Sequence, residues 1–348
     1  MPRSAVLLLG IALLAMGVMG CTDEPAWQPP VTMLADHIPQ PAHNQWQAQT
    51  VALGRMLFYD PILSSDSVIS CASCHRQALA FTDGQVRSSA GKSGQLLPRH
   101  TPSLVNMAWM DGLFWDGGAR NLESVSVGPI AHADEMALPL PEMVSRLQRH
   151  PRYPALFLKA FGTDSIQVAY VLRALAQFQR TLISDQSAYD RWVAQQPGAT
   201  LGQEALKGMA LFSQYCAGCH PPPFFTDHRY HHNGLDSIFP VTWEHPGQGR
   251  YRVTLLPEDL GRYKTPTLRN IAVTAPYMHD GRFQSLEEVM AHYRHGVKAH
   301  ANTDERLIGS LDITPEGQQQ LIAFLHTLTD SSFLEDRKFA NPFQQDKK

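Results

Sequence analysis

Two five-residue stretches carry the most narrowly defined chemistry in the chain: Cys71-Ala72-Ser73-Cys74-His75 and Cys216-Ala217-Gly218-Cys219-His220. Cys-x-x-Cys-His is the attachment pattern of a c-type haem. Two thiols separated by two residues span the porphyrin vinyl groups and add to them, and the adjoining imidazole falls beneath the iron as an axial ligand. A zinc site, a redox dithiol or a disulfide could each use the cysteines, but none asks twice for a trailing histidine. Cys71, Cys74, Cys216 and Cys219 are therefore read as the anchors of two covalently bound haem c groups, with His75 and His220 as proximal iron ligands. Each iron's sixth position then decides its role. An open position admits a small oxidant, whereas a strong second ligand makes the haem an electron conduit.

The 348 residues suffice for two domains of ordinary size. Charged residues make up 18% and the formal net charge is −3, with no basic cluster, so no nucleic-acid partner is expected. The fifth cysteine, Cys21, follows a leader: Met1-Pro2-Arg3 is a short positive region, and Ala5 to Gly20 is apolar but short for a membrane span. Val18-Met19-Gly20-Cys21 resembles a bacterial lipobox, in which the cysteine is lipidated and becomes the mature N-terminus. An ordinary signal peptide cut nearby, with Cys21 incidental, is the alternative. Thr22 after the cysteine hints at the outer membrane, and either reading places the mature chain in the periplasm, where haem c is attached.

The elements that must position the motifs are helical. A helix over Thr50 to Tyr59 places Leu53, Met56 and Leu57 on one face and stops at Asp60-Pro61. A Thr200-x-x-Gln203 capping box opens a second helix, which runs through Leu206, Ala210 and Leu211 to the Cys216 motif. Between them, Ile166 to Leu182 repeats apolar residues at helical spacing after an Asp164-Ser165 cap. Ser285-x-x-Glu288 starts a helix ending at Gly296, and Thr314-Pro315 starts another with Leu321, Phe324, Leu325 and Leu328 inward. No run of alternating strands is present. The predicted fold is mainly α, two tandem cytochrome c-like haem domains with long connecting loops. Residues 1–21 form the leader, 22–46 a Pro-rich flexible tether, 47–198 the first haem domain, 199–335 the second and 336–348 a tail.

Beyond the haem motifs, the chain resembles the bacterial di-haem cytochrome c peroxidase and MauG family over about residues 50 to 335. The resemblance rests on Leu53-Gly54-Arg55-x-Leu57-Phe58-x-Asp60-Pro61, on Thr101-Pro102-Ser103-Leu104 and on Phe114-Trp115-Asp116-Gly117. It also rests on Lys264-Thr265-Pro266-Thr267-Leu268-Arg269-Asn270 and on Thr274-Ala275-Pro276-Tyr277-Met278-His279-Asp280-Gly281.

The resemblance implies roles for particular residues. Some relatives close the first haem with a histidine in the loop after the motif. None stands between His75 and His100 here, so the first haem is expected to be five-coordinate or water-bound unless His100 reaches it. Many relatives bind a calcium ion between the domains through an Asn at the position of His100 and carbonyls matching Thr274 and Pro276. The imidazole puts that calcium in doubt, since a hard cation prefers oxygen. The family's distal glutamate falls on Glu135, as the acid–base group that moves a proton between the peroxide oxygens. Its neighbouring glutamine is replaced by Val125. Trp115 takes the place of the aromatic between the haems, where an oxidisable indole relays an electron or shares a hole. The far ligand of the second haem is Met in peroxidase-type members and Tyr in MauG-type members, and here the position is Tyr293. Met278 is next in order, and His292 is expected to face solvent. A surface Trp used by quinone-forming relatives is replaced by Gln214, with Tyr215 adjacent.

Three functions follow from the resemblance. In the first, hydrogen peroxide is reduced to water at the His75 haem, with electrons from a small cytochrome c or cupredoxin donor arriving through the His220 haem and Trp115. In the second, a MauG-like oxidase uses peroxide to reach a high-valent state shared by both haems and oxidises a partner protein. Tyr293 favours this reading and Gln214 opposes it. The third is a non-catalytic electron-transfer cytochrome, which would need both irons six-coordinate. Family members often pair, so a homodimer is one implied state.

Overall fold

The computed structural model describes residues 27–86, 91–239, 246–309 and 311–344. The expected leader and Cys21 lie outside these. The fold is mainly helical, and its apolar residues gather into two cores, one per haem motif.

Each core is built on one crossing of two helices. In the first, α1 (Ala48–Tyr59) turns Val51, Leu57 and Phe58 onto α2 (Val168–Arg180), which returns Val171, Leu175 and Phe178. In the second, α3 (Gln203–Tyr215) packs Phe212 against α5 (Pro315–His326), which supplies Leu321, Phe324 and Leu325. A short helix α4 (Leu286–Ala291) adds Leu286 and Met290 to that second core. Both crossings are tight for the same reason. A methyl group on Gly54 would lie 1.9 Å from the carbonyl oxygen of Ala174, and one on Gly208 would lie 1.9 Å from that of Gln320. Only glycine lets the backbones approach so closely, and each such helix leads its chain toward a Cys-x-x-Cys-His motif.

The described strands are minimal: β1 (Tyr230–His231) pairs antiparallel with β2 (Tyr263–Lys264), with Tyr230 opposite Lys264 and His231 opposite Tyr263. A buried ion pair ties the connecting segment to the second half. Arg269 donates from both terminal nitrogens to Asp190 at 2.8 Å, and its remaining capacity goes to the Pro223 carbonyl, so neither charge is left uncompensated.

Several expectations shift. The described part of the expected tether, residues 27–46, has no regular structure but is docked on the body. Asn44 donates to Glu123 and to the Arg173 carbonyl and accepts from Gln177, and the Met33 amide donates to Asp185. Polar residues that composition reads as solvated are here hydrogen-bonding staples. The described part of the expected tail is likewise anchored: Phe339 is buried in the first core, and Tyr59 and Arg55 donate to the carbonyls of Phe339 and Ala340. Helix α3 starts at Gln203, with Gly202 and not Thr200 in the N-cap position, because a Thr-x-x-Gln spacing does not say which residue begins the helix. Helix α2 starts at Val168 with Gln167 in the N-cap position, and the Ile166 amide before it donates to the Gln148 side chain. The Ser285 and Thr314 caps form as expected, donating amides being those of Glu288 and Gly317.

Candidate functional site

The two motifs are locally alike. Cys71–Cys74 forms one helical turn capped reciprocally by Ser70 and Ser73, and the amides of His75 and His220 each donate at 2.9 Å to the carbonyl of the first cysteine of their motif. The His75 Nδ1 lies 2.7 Å from the Phe81 carbonyl, and the His220 Nδ1 lies 3.0 Å from the Phe225 carbonyl. A carbonyl only accepts, so Nδ1 carries the proton in each ring and Nε2 keeps the lone pair a metal needs. Both phenylalanines are buried and held at left-handed φ, +62° and +54°, a conformation a bulky residue keeps only when its surroundings enforce it. Burial pulls both imidazoles below their ordinary range, which keeps them neutral and ligand-competent.

Burial also pushes the Cys71 and Cys216 thiols up to about 12, and Cys219 up to about 11. A redox dithiol needs the opposite shift. A deep cavity beside the second motif is lined by Cys216, Cys219 and His220 and walled by Leu286, Met290, Leu321 and Leu325. An apolar cleft with two thiols and a neutral imidazole on one wall suits a haem c. The first motif offers the same donors, with Cys71 and Ala72 packed against the first core.

Glu135 sits in the turn after the helix Val127–Ala131, held by its amide on the His132 carbonyl and by the Lys92 amide on its own carbonyl. Burial raises its carboxyl above the usual range, with His132 opposing and Asp134 adding to the rise, and its charge acts on the Cys71 thiol. The glutamate is therefore brought to the first motif. Val125 is buried in the first core.

Trp115 lines the cavity of the second motif. Its indole N–H donates at 2.8 Å to the His100 carbonyl, and its own carbonyl accepts from the Lys264 amide at 2.8 Å. His100 is buried with its ring engaged elsewhere: Nδ1 lies 2.8 Å from the Gln85 carbonyl, and the Thr274 carbonyl is a second partner of the ring. The imidazole thus pins the segment after the first motif to the Thr274 segment.

Tyr293 and Met278 both line the second cavity. Tyr293 projects from a π-helical turn, His292–Gly296, that continues α4; such turns re-aim side chains and recur at functional sites. Burial pushes its phenol up to about 12, and a hydrogen bond from the Asn233 side chain works against that rise. The Asn233 amide nitrogen also lies 3.5 Å from the Met278 sulfur. His292, expected in solvent, is instead buried, with Nε2 2.9 Å from the Asn233 carbonyl, because the π turn rotates it inward. Gln214 is exposed, whereas Tyr215 lines the cavity and donates to the Asp312 carbonyl.

Two cavity residues escape sequence reasoning. Asn233 follows the strand Tyr230–His231 without any motif to mark it. Lys264 opens a recognisable block, yet nothing in that block says that its ammonium is buried, pulled down to about 8, with the Gly112 carbonyl at 3.2 Å.

Mainly helical cores, each presenting a Cys-x-x-Cys-His motif, define a di-haem c-type protein. The family described as di-haem cytochrome c peroxidase matches residues 48–198. The methylamine utilization protein MauG of Methylorubrum extorquens is 37% identical over 296 residues, covering 84% of this chain and 82% of its own length. The cytochrome c551 peroxidase of Nitrosomonas europaea is 34% identical over 283 residues, covering 81% of this chain and 80% of its own. The crystal structure of a MauG-like protein associated with microbial copper homeostasis superposes with a TM-score of 0.84 at 32% identity, covering 92% of this chain and all of that one. The chain belongs to the di-haem cytochrome c peroxidase and MauG family and is a haem oxidoreductase.

Proposed function

We propose that the chain reduces hydrogen peroxide to water at the haem held by Cys71, Cys74 and His75. The electrons come from a small cytochrome c or cupredoxin, enter at the haem held by Cys216, Cys219 and His220 and pass by Trp115. The observation that carries this reading is Glu135, a half-buried carboxyl whose proton affinity is raised and whose charge acts on the Cys71 thiol of the first motif. When bound, the haem supplies the iron that accepts peroxide and the redox equivalents that cleave it. Glu135 takes the proton from the near peroxide oxygen and returns it to the departing one, and a raised proton affinity suits both halves of that task. The Phe81 and Phe225 carbonyls hold the proximal imidazoles in one tautomer. Trp115 is fixed at both its indole nitrogen and its carbonyl, so its ring stays at one distance from either site.

A MauG-like oxidation of a partner protein is the second reading, favoured by Tyr293 in the second cavity. The leader points to export, with a lipid anchor at Cys21. Among the described residues, no helix is long and apolar enough to cross a membrane. A calcium ion does not suit the place of His100, because that side chain turns ring nitrogens, not oxygens, toward the Gln85 and Thr274 carbonyls.

Stopped-flow mixing of the oxidised di-haem protein with peroxide tests the assignment. Glu135→Gln is expected to retain both haems and lose about 10²- to 10⁴-fold in peroxide reactivity. Unaltered reactivity removes Glu135 from the mechanism. Steady peroxide-dependent oxidation of reduced cytochrome c supports the peroxidase, and a near-infrared charge-resonance band without it supports the oxidase.

A further inference from the structure

Two side chains able to ligate the second iron, Tyr293 and Met278, line the same cavity as His220. A haem has one place opposite its proximal histidine, so something must choose between phenol oxygen and thioether sulfur. One neutral side chain touches both. The Asn233 amide nitrogen is 3.5 Å from the Met278 sulfur, and the same side chain is hydrogen-bonded to the Tyr293 phenol.

The rest of Asn233 is tied down so that its NH2 group faces these partners. Its side-chain oxygen accepts from the Leu235 amide at 3.4 Å, which sets the orientation of the carboxamide. Its main-chain carbonyl accepts from His292 Nε2 at 2.9 Å. His292 is the neighbour of Tyr293 in the π turn, so this bond locks the turn to the loop that carries Asn233. Gly296 closes the turn against His292, where a methyl group would come within 3.1 Å of Nδ1.

We propose that Asn233 is a positioning residue that assigns the sixth place at the second iron to Tyr293 and tunes how strongly that oxygen donates. The inference rests on the reading of Tyr293 as the ligand. An N–H donated to the Met278 sulfur holds the thioether in a non-ligating arrangement. An N–H donated to the ligating oxygen shares its lone-pair density, weakens donation to ferric iron and raises the reduction potential over that of an unbonded phenolate. Ligand choice and potential are thereby set by a residue that does not itself touch iron.

The test uses the full di-haem protein, with covalent haem content measured first for every variant. Potentiometric titration of the second haem is done in a Met278→Leu background, which isolates the effect on oxygen. Asn233→Leu is expected to shift the reduction equilibrium about tenfold toward the ferric form, about 59 mV for one electron. Asn233→Gln, which restores an N–H donor, is expected to recover at least half of that shift. With Met278 present, Asn233→Leu is expected to add a thioether signature to the ferric absorption and resonance Raman spectra. An unchanged potential in the Leu variant overturns the proposal, as does failure of Gln to recover it. Should Asn233→Leu not mature with two haems, Asn233→Ala carries the same expectations. Tyr293→Phe separates the two levels: if it leaves the ferric spectrum unaltered, the ligand reading itself fails, whatever Asn233 does.

Discussion

The crossing of α3 and α5 offers a sharp test of how the fold places the second haem. In Gly208→Ala the added methyl would lie 1.9 Å from the Gln320 carbonyl oxygen, 2.5 Å from its carbon and 3.0 Å from the Phe324 Cβ. All three are backbone or first side-chain atoms, which cannot swing away. Restoring ordinary contact requires the helices to part by about 1.5 Å. Overpacking of this kind costs about 3 kcal/mol at the upper end of its usual range, and the better helix propensity of alanine returns about 1 kcal/mol. The expected loss is thus about 2 kcal/mol, concentrated in the second core. Because α3 runs directly into Cys216, the displacement also reaches the haem motif. Denaturant titration followed by the absorption of each haem is the assay. The second haem is expected to lose its native spectrum at lower denaturant while the first is unchanged. Lys207→Ala, an exposed neighbour on the same helix, is expected to stay within about 0.5 kcal/mol of the parent. A Gly208→Ala protein as stable as the parent would refute the argument that backbone contact at this crossing requires glycine.

Two further outcomes follow from the site. Burial raises the Glu135 carboxyl, so its contribution to stability is present at low pH and is lost as pH climbs from the unfolded value of about 4.3 through the raised folded value. Glu135→Gln is expected to flatten the pH dependence of stability in that window. As a base, Glu135 must be ionised, so peroxide reactivity is expected to fall on acidification at a higher pH than an ordinary carboxylate would give; a profile flat down to about pH 4 would contradict this. Removal of divalent cations with a chelator is expected to leave thermal stability and both haem spectra unchanged. A loss on chelation that calcium restores would refute the account of His100 as a hydrogen-bonding bridge.

The Cys-x-x-Cys-His motifs are legible in the sequence because the pattern sets residue types at fixed spacing. The two motifs, their histidines and the capped helices at Ser285 and Thr314 depend on neighbours a few residues away, and local rules reach that far. The Thr200 box failed because the same local signal fits more than one helix start. Residues 27–46 and the Phe339 segment dock through partners far along the chain, such as Gln177 for Asn44 and Tyr59 for Phe339, which composition alone does not reveal. Helical periodicity does not anticipate the π turn that buries His292.

Cysteine and histidine spacing, read alone, determined that this chain holds two haems, and the surrounding blocks placed it in its family. Tertiary structure decided which groups surround the motifs. It brought Glu135 to the first motif, turned His100 away to two carbonyls and gathered Tyr293, Met278 and Asn233 in one cavity. The division has one physical cause. A Cys-x-x-Cys-His motif is complete within five consecutive residues, whereas its surroundings are assembled from loops tens of residues apart, whose meeting depends on how two glycine-centred helix crossings bring the chain together.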